Sequence, residues 1–353
     1  MTKKINIILV ITIMIIASIL FLFFLSTQNQ GSKNTKKSMN NNTSNKEAIE
    51  KGTRYLKNKI DSKQPFSMKS IAKGDVKKCP NCMNPYTGSI IYGFFISQAI
   101  GERLDKNEIN TLLRNINTPG ESLWGYETKE KIKEWNDSDD TAFAMRTLEK
   151  LKIDYKLNDI EFFYNKDTKD FSSFRENQLM QDSKENYKSH SEVNANIYNL
   201  LLETKQRNNF EINKNLIKNS QNEDGSFKSY FYPSKYYSTY MFLKFLCEYK
   251  DVGLDEIKNK AINFIQKSQN INGSWGNGFG NNYETALALA SLKTCGVDNE
   301  KASKIILENQ NKDGSWDSNE VFWKFRLSKE DSWETYTNSI ITTSINLIAL
   351  KNN

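Results

Sequence analysis

Three segments of the chain share one pattern, Gln-x-x-x-Gly-Ser-aromatic: Gln221–Phe227, Gln269–Trp275 and Gln310–Trp316. Their glutamines lie 48 and then 41 residues apart. Each copy follows an amphipathic stretch of helical period (Asn213–Ser220, Glu256–Ser268, Lys301–Asn309) and precedes a more apolar one (Tyr236–Glu248, Tyr283–Thr294, Ser339–Leu350). The glycine permits a turn between the two helices, and the aromatic ring can pack back over the end of the first. Weaker copies run from Lys46–Ile60 to Thr87–Ala99, from Asn107–Ile116 through Gly120 and Trp124 to a helix starting at Asp137, and from Asp159–Tyr164 to Glu192–Glu203. A two-helix unit cannot bury both of its faces alone and must stack on its neighbours. Six such units close an all-α toroid, an α/α barrel with an outer and an inner ring of helices. This is the expected fold of residues 46–353.

Within that frame the stretch Asp137-Ser138-Asp139-Asp140-Thr141-Ala142 puts three carboxylates in four residues, directly before the apolar run Ala142, Phe143, Ala144, Met145, Leu148. As a helix start it reads well: Asp137 is a good N-cap, and Asp139 and Asp140 fall in the first turn. Crowding has a second consequence. Neighbouring negative charges and burial both raise a carboxyl pKa, whereas the helix N-terminus favours the anion. One neutral Asp held between two charged or hydrogen-bonded ones, aimed into a dry cavity, is the balance such a cluster can strike.

The rest of the chain restricts the chemistry further. Ile7–Leu25 is a 19-residue run interrupted only by Thr12 and Ser18, long enough to span a bilayer and without the small-x-small exit of a cleaved signal. Residues 1–26 are therefore expected to be a transmembrane anchor and 27–45 a polar, flexible tether. Lys3 and Lys4 lie nearer to the span than Lys33, Lys36 and Lys37, which leans the domain towards the extracytoplasmic side. The net charge of +7 is spread over a Lys- and Asn-rich surface with no basic block in the globular part, which argues against nucleic acid as a partner. One histidine and four cysteines offer little for metal chemistry, and neither a metal nor another cofactor is expected. Cys79-Pro80-Asn81-Cys82 reads as a loop, with a local disulfide if exported. A zinc site would need Cys247 and Cys295 to converge on it, and both sit in apolar helical patterns where buried thiols are ordinary. The thioredoxin context for a redox motif is absent.

The Gln–Gly–aromatic repeat together with Asp-x-Asp-Asp-Thr-Ala resembles the squalene–hopene cyclases and related class II terpene cyclases, over roughly residues 46–352. The resemblance implies a protonation-initiated cyclisation of an isoprenoid, with the middle carboxylate, Asp139, as proton donor and Asp137 and Asp140 tuning it. Glu192-Val193-Asn194-Ala195-Asn196 is similar to a cyclase segment whose last position is often a His bonded to the donor. Here it is Asn196, which can orient the acid but cannot carry a positive charge. Gly225–Thr239 aligns with the cyclase Gly-Ser-Trp segment. That alignment gives Phe231 the place of an aromatic lining the cavity and Tyr237 that of a Tyr near the acid; core packing is the competing reading for Phe231. Phe227, Trp275 and Trp316 read as structural. Trp124, Phe322, Trp323 and Trp333 are further candidates for substrate contact, none of them placed by the sequence.

The same barrel is used by protein prenyltransferases and by complement-like thioester domains. The latter need Cys-Gly-Glu-Gln, which is absent. The former bind zinc through an Asp, a Cys and a His, and the lone His190 lies in the polar run Ser183–Glu192 and reads as a solvated loop residue. Two rival functions stay open: a non-catalytic, membrane-tethered toroid binding a lipid or peptide, and a zinc-free prenyltransferase relative. Family members mostly pair two barrels around the reaction cavity, and this chain has residues for one. A cover over the Asp139 end is therefore expected from Gln64–Pro85, from membrane lipid or from a partner subunit, since water there would level the acid and trap a carbocation.

Overall fold

Apolar, largely buried helices alternate along the chain with helices that bury a single stripe, and this alternation sorts them into two rings. The computed structural model describes residues 44–62, 69–74, 89–115, 124, 136–174, 188–206, 210–326 and 332–351. The inner helices are α2 (Ser89–Ile100), α4 (Ser138–Leu151), α5 (Ser191–Glu203), α7 (Lys235–Tyr249), α9 (Asn282–Thr294) and α11 (Ser339–Lys351). Each packs on the next, and α11 returns to α2, closing the circle. In α9, Ala286 to Ala290 are all fully buried, as an inner helix requires. Outside lie α1 (44–61), α3 (Lys106–Asn115), α6 (Lys214–Ser220), α8 (Asp255–Lys267) and α10 (Glu300–Glu308). These keep narrow stripes inward: α10 buries only Ala302 and Ile306. The third outer position, expected as a helix near Asp159–Tyr164, is a 3-10 turn over Leu157–Phe163 followed by a small hairpin, β2 (Tyr164–Asn165) with β3 (Asp170–Phe171).

The repeated turns are the joints of this architecture. The Gln221 amide donates to Gly225 O (3.1 Å) within its own turn and to Ile257 O (2.8 Å) of α8. Gln269 does the same with Gly273 O (2.8 Å) and with Asn299, the N-cap of α10 (3.2 Å). Gly225 (φ +97°) and Gly314 (φ +92°) adopt the left-handed conformation, and a Cβ on either would stand 2.4 Å from a backbone oxygen, Lys260 O in α8 or Lys51 O in α1. The last turn is thus pressed onto the first outer helix and locks the ring. The indoles pack back as expected: Trp275 Nε1 donates to Ile265 O (2.8 Å) and Trp316 Nε1 to Ile306 O (2.7 Å).

Three expectations change here. First, the chain also forms a three-stranded antiparallel sheet in the order β1 (Ser70–Lys73), β5 (Ser332–Tyr336), β4 (Val321–Arg326). β4 is tied to the turn before α7 by Lys324 N donating to Phe231 O (2.7 Å). Its Phe322 is fully buried against Phe95, Tyr232, Tyr237 and Tyr283. Second, Cys247 and Cys295 are joined in a disulfide. They stand in the last turn of α7 and at the C-cap of α9, adjacent inner helices whose ends meet, which separate readings of each helix could not reveal. Third, His190 is buried, as developed below. The expected anchor Ile7–Leu25, nearly all of the tether, and Cys79 and Cys82 lie outside the described residues. Among the described residues, no helix is long and apolar enough to cross a membrane.

Candidate active site

The acidic motif opens α4. Asp137 is its N-cap, the carboxylate accepting from Asp140 N (2.7 Å). Thr141 anchors the neighbouring chain: its hydroxyl lies 2.6 Å from Asp137 O and accepts from Trp124 N (3.0 Å), and Asp137 N donates to Trp124 O (3.0 Å). With Asp137 committed to the cap, Asp139 is turned inward and is only 9% exposed. Its Oδ1 accepts from Asn196 Nδ2 (2.7 Å) and its Oδ2 pairs with the Tyr232 hydroxyl (2.5 Å). Burial pushes the Asp139 carboxyl up to about 7, against the opposing pull of these two hydrogen bonds. Asp137 is raised well above the usual carboxylate range by burial and then by the charge of Asp140.

A chain of polar side chains runs on behind Asn196. Its Oδ1 accepts from Arg146 Nη1 (2.7 Å), and Arg146 holds Glu203 through two bonds, Nε to Oε2 (2.9 Å) and Nη2 to Oε1 (2.7 Å). Lys244 also reaches Glu203 (2.9 Å). Burial raises the Glu203 carboxyl, but the two cations outweigh it and bring it down to about 2. Nearer the start of α5, Asn194 ties β3 to the helix by donating to Phe171 O and accepting from Phe171 N (both 2.9 Å). Buried Glu192 accepts from Tyr230 N (2.7 Å) and Phe231 N (2.8 Å) and so fixes the loop that carries Tyr232.

The three aspartates face a narrow cavity, about 390 Å³ of empty space partly continuous with solvent. Phe231, Tyr232, Phe174, Trp323, Ile91 and Val193 form most of its wall. Phe231 stacks with Trp323 (6.3 Å) and meets Phe174 edge-on (6.4 Å). The structure therefore brings together Asp137, Asp139, Asp140, Asn196 and Phe231. Tyr237 is close, stacked on Tyr232 at 4.2 Å, but it is Tyr232 that bonds the acid. Trp124 is buried beside the motif and is not among the residues lining the cavity. Phe227, Trp275 and Trp316 are buried in the repeat turns. His190, expected in solvent, sits at the N-cap of α5, bonds Ser173 Oγ through Nδ1 (2.7 Å) and stacks on Tyr230 (4.3 Å).

Tyr232, Arg146 and Glu203 were missed by sequence reasoning, yet two of them carry a signal. Arg146 follows Asp139 by seven residues on α4, and Glu203 follows Asn196 by seven on α5. Seven residues are about two helical turns, so each pair shares a face. A charged residue on the buried face of an inner helix needs a partner, and the facing helix supplies one. Tyr232 has no comparable mark in its aromatic-rich loop.

The site thus sets a carboxyl raised by burial and bonded at both oxygens against a cavity walled largely by aromatic rings. The comparisons with known proteins point to one group of folds. The family model of the squalene-hopene cyclase C-terminal domain matches residues 231–350. In fold, the chain matches the type II terpene cyclase MstE from Scytonema, with a TM-score of 0.66 at 14% identity, over 87% of this chain and 97% of that one. A variant of the same protein, solved in complex with geranylgeranyl dihydroxybenzoate (substrate), matches at a TM-score of 0.65 and 12% identity, over 89% and 98%. The ent-copalyl diphosphate synthase from Streptomyces platensis matches at a TM-score of 0.55 and 18% identity, over 75% of this chain and 50% of that one. No curated protein matches the sequence. In its C-terminal part the sequence is thus similar to the squalene-hopene cyclases, and in fold the chain is similar to type II terpene cyclases.

Proposed function

We propose that this protein cyclises a linear isoprenoid, with Asp139 as the general acid. The observation that carries the reading is the placement of Asp139: buried, raised to about 7, and set in an aromatic-lined cavity. In the first step the π electrons of a terminal alkene take the Asp139 proton, a C–H bond forms, and the positive charge is left on the more substituted carbon. An epoxide oxygen is the alternative acceptor. Attack by the next alkene closes a ring and moves the cation along, until loss of a proton ends the sequence. Asn196 and Tyr232 stabilise the carboxylate left behind. The rings of Phe231 and Trp323 favour a nearby cation by about 0.5–2 kcal/mol each without a lone pair that would trap it. Burial, helped by the charge of Glu192, disfavours ionisation of Asp139 in the resting state, and Asp137 and Asp140 tune the acid from the same helix turn.

The cover is supplied at least in part by the chain itself, because β4 contributes Trp323 to the cavity and β1, within Gln64–Pro85, completes the sheet. Membrane lipid is the proposed source of the apolar substrate. An extracytoplasmic location suits the Cys247–Cys295 disulfide, which persists in oxidising compartments. The test is incubation of the full-length protein with polyprenyl substrates from farnesyl to squalene length, including a geranylgeranyl-substituted arene, in lipid and in detergent, with products read by mass spectrometry. Cyclic products that vanish in Asp139→Asn support the reading. Equal turnover in that variant, or substrate binding with no product under any condition, overturns it.

A further inference from the structure

We propose that Arg146 is a positioning residue for the acid: it fixes the Asn196 amide so that its N–H group, rather than its carbonyl, faces the Asp139 carboxyl. The proposal rests on the assignment of Asp139 as the acid. A guanidinium has only donors, whereas a side-chain amide has one accepting end and one donating end. The bond from Arg146 Nη1 to Asn196 Oδ1 (2.7 Å) therefore decides which end is left. That end, Nδ2, reaches both Asp139 Oδ1 (2.7 Å) and the Asp139 backbone oxygen (3.2 Å). With the amide reversed, its carbonyl would accept the proton of a neutral Asp139 and hold it away from the cavity. In the observed orientation the proton belongs to Oδ2, beside Tyr232 and the cavity wall.

Arg146 is itself immobilised. Its side chain is fully buried, gripped by Glu203 at two nitrogens and set 4.6 Å over the Phe94 ring. The guanidinium also supplies the positive charge that an Asn in place of a His lacks: its field favours the Asp139 anion, and it polarises the amide, whose N–H becomes a better donor to the carboxylate that forms. The spacing Asp139–Arg146 on α4 and Asn196–Glu203 on α5 places the four side chains as two rungs between facing helices. Because Lys244 also holds Glu203, loss of Arg146 does not leave that carboxylate without a cation.

The experiment uses full-length Arg146→Met and Arg146→Lys, the second keeping a buried cation with a donor should the first fold poorly. The Asp139 carboxyl is titrated directly by carbon-13 NMR, using Asp139→Asn to assign its signal. The midpoint is expected to rise by about one unit in Arg146→Met, the worth of one lost charge-assisted hydrogen bond, and by less in Arg146→Lys. Turnover should fall about tenfold in kcat with KM unchanged, as one unit of acid strength implies. An unmoved midpoint in the folded variants overturns the positioning role, whatever the activity does. A shifted midpoint in a protein that cyclises nothing leaves the positioning intact and removes the cyclase reading instead, so the two fail separately.

Discussion

Replacing Asp139 by Asn should make the protein more stable than the wild type at alkaline pH, and the structure gives the size of the effect. The folded carboxyl titrates at about 7, against 3.8 for the ordinary side chain. Between these values the folded state keeps a proton that the unfolded chain has released. Stability therefore falls as pH rises through that window, by about 1.4 kcal/mol per pH unit. Integrated to about pH 8, the cost approaches 4 kcal/mol, of which about 2.6 kcal/mol accrues above pH 5. An Asn at this position is nearly isosteric, neutral throughout, and able to hydrogen-bond with both Asn196 and Tyr232, so it escapes the cost. Asp137 and Glu192, also raised by burial, are present in both proteins and cancel to first order. Urea denaturation of both proteins at about pH 5 and about pH 8 should show the difference growing by about 2–3 kcal/mol in favour of the variant. A difference that stays constant, or that grows in favour of the wild type, would refute the claim that Asp139 is buried and neutral in the resting protein. A carboxylate that acts only as an exposed helix cap predicts the constant result.

Three further outcomes follow from single contacts. Tyr232→Phe removes the donor 2.5 Å from Asp139 Oδ2, so the Asp139 midpoint should rise by about 1–2 units in an NMR titration, and the alkaline limit of turnover should move with it. Gly314→Ala forces a Cβ to 2.4 Å from Lys51 O at a positive φ and should cost about 2 kcal/mol or more in thermal or urea unfolding. Cys247→Ser opens a cross-link with a sequence separation of 48, worth up to about 4 kcal/mol by loop entropy, and a reducing agent should lower wild-type stability by a similar amount.

How far the sequence could be read depended on the distance over which each feature is encoded. The helix pairs are largely local: each turn has bonds within its own copy, such as Gln221 to Gly225 and Trp275 to Ile265, so periodicity exposed them. The N-cap at Asp137 is equally local. The sheet is not. β1 and β5 pair across more than half of the chain, β1 is four residues long, and nothing near Ser70 announces a partner at Thr335. The disulfide fails to show for the same reason, since its cysteines lie on neighbouring inner helices rather than in one motif. His190 misled because its neighbours are polar, while its burial comes from Ser173 and Tyr230, each brought in from another element. The exchange of Tyr237 for Tyr232 is a matter of which ring of a stacked pair reaches the acid, a choice made by Glu192 when it fixes the backbone of Tyr230 and Phe231.

An alkene-protonating acid, the role proposed above for Asp139, must meet two demands that pull apart: it must hold its proton at rest, yet give it up to a poor base. Burial at the start of α4 meets the first by raising the Asp139 carboxyl to about 7. It also weakens the acid, and the remedy has to act on the anion alone. Asn196 and Tyr232 do this, because a hydrogen bond donated to a carboxylate is stronger than one donated to a neutral carboxyl. Their placement is what the toroid contributes. Asp139 stands on α4, Asn196 on α5 and Tyr232 just before α7, three successive members of the inner ring, and the ring brings their N-terminal ends to one point. The N-terminal halves of α4 and α5 and the loop leading into α7 thus converge on one carboxyl, with β4 tied to that loop. A site assembled this way needs no second barrel to place the carboxyl itself; what lies beyond Phe231 and Trp323 governs which apolar chain can reach it and how far water is kept out.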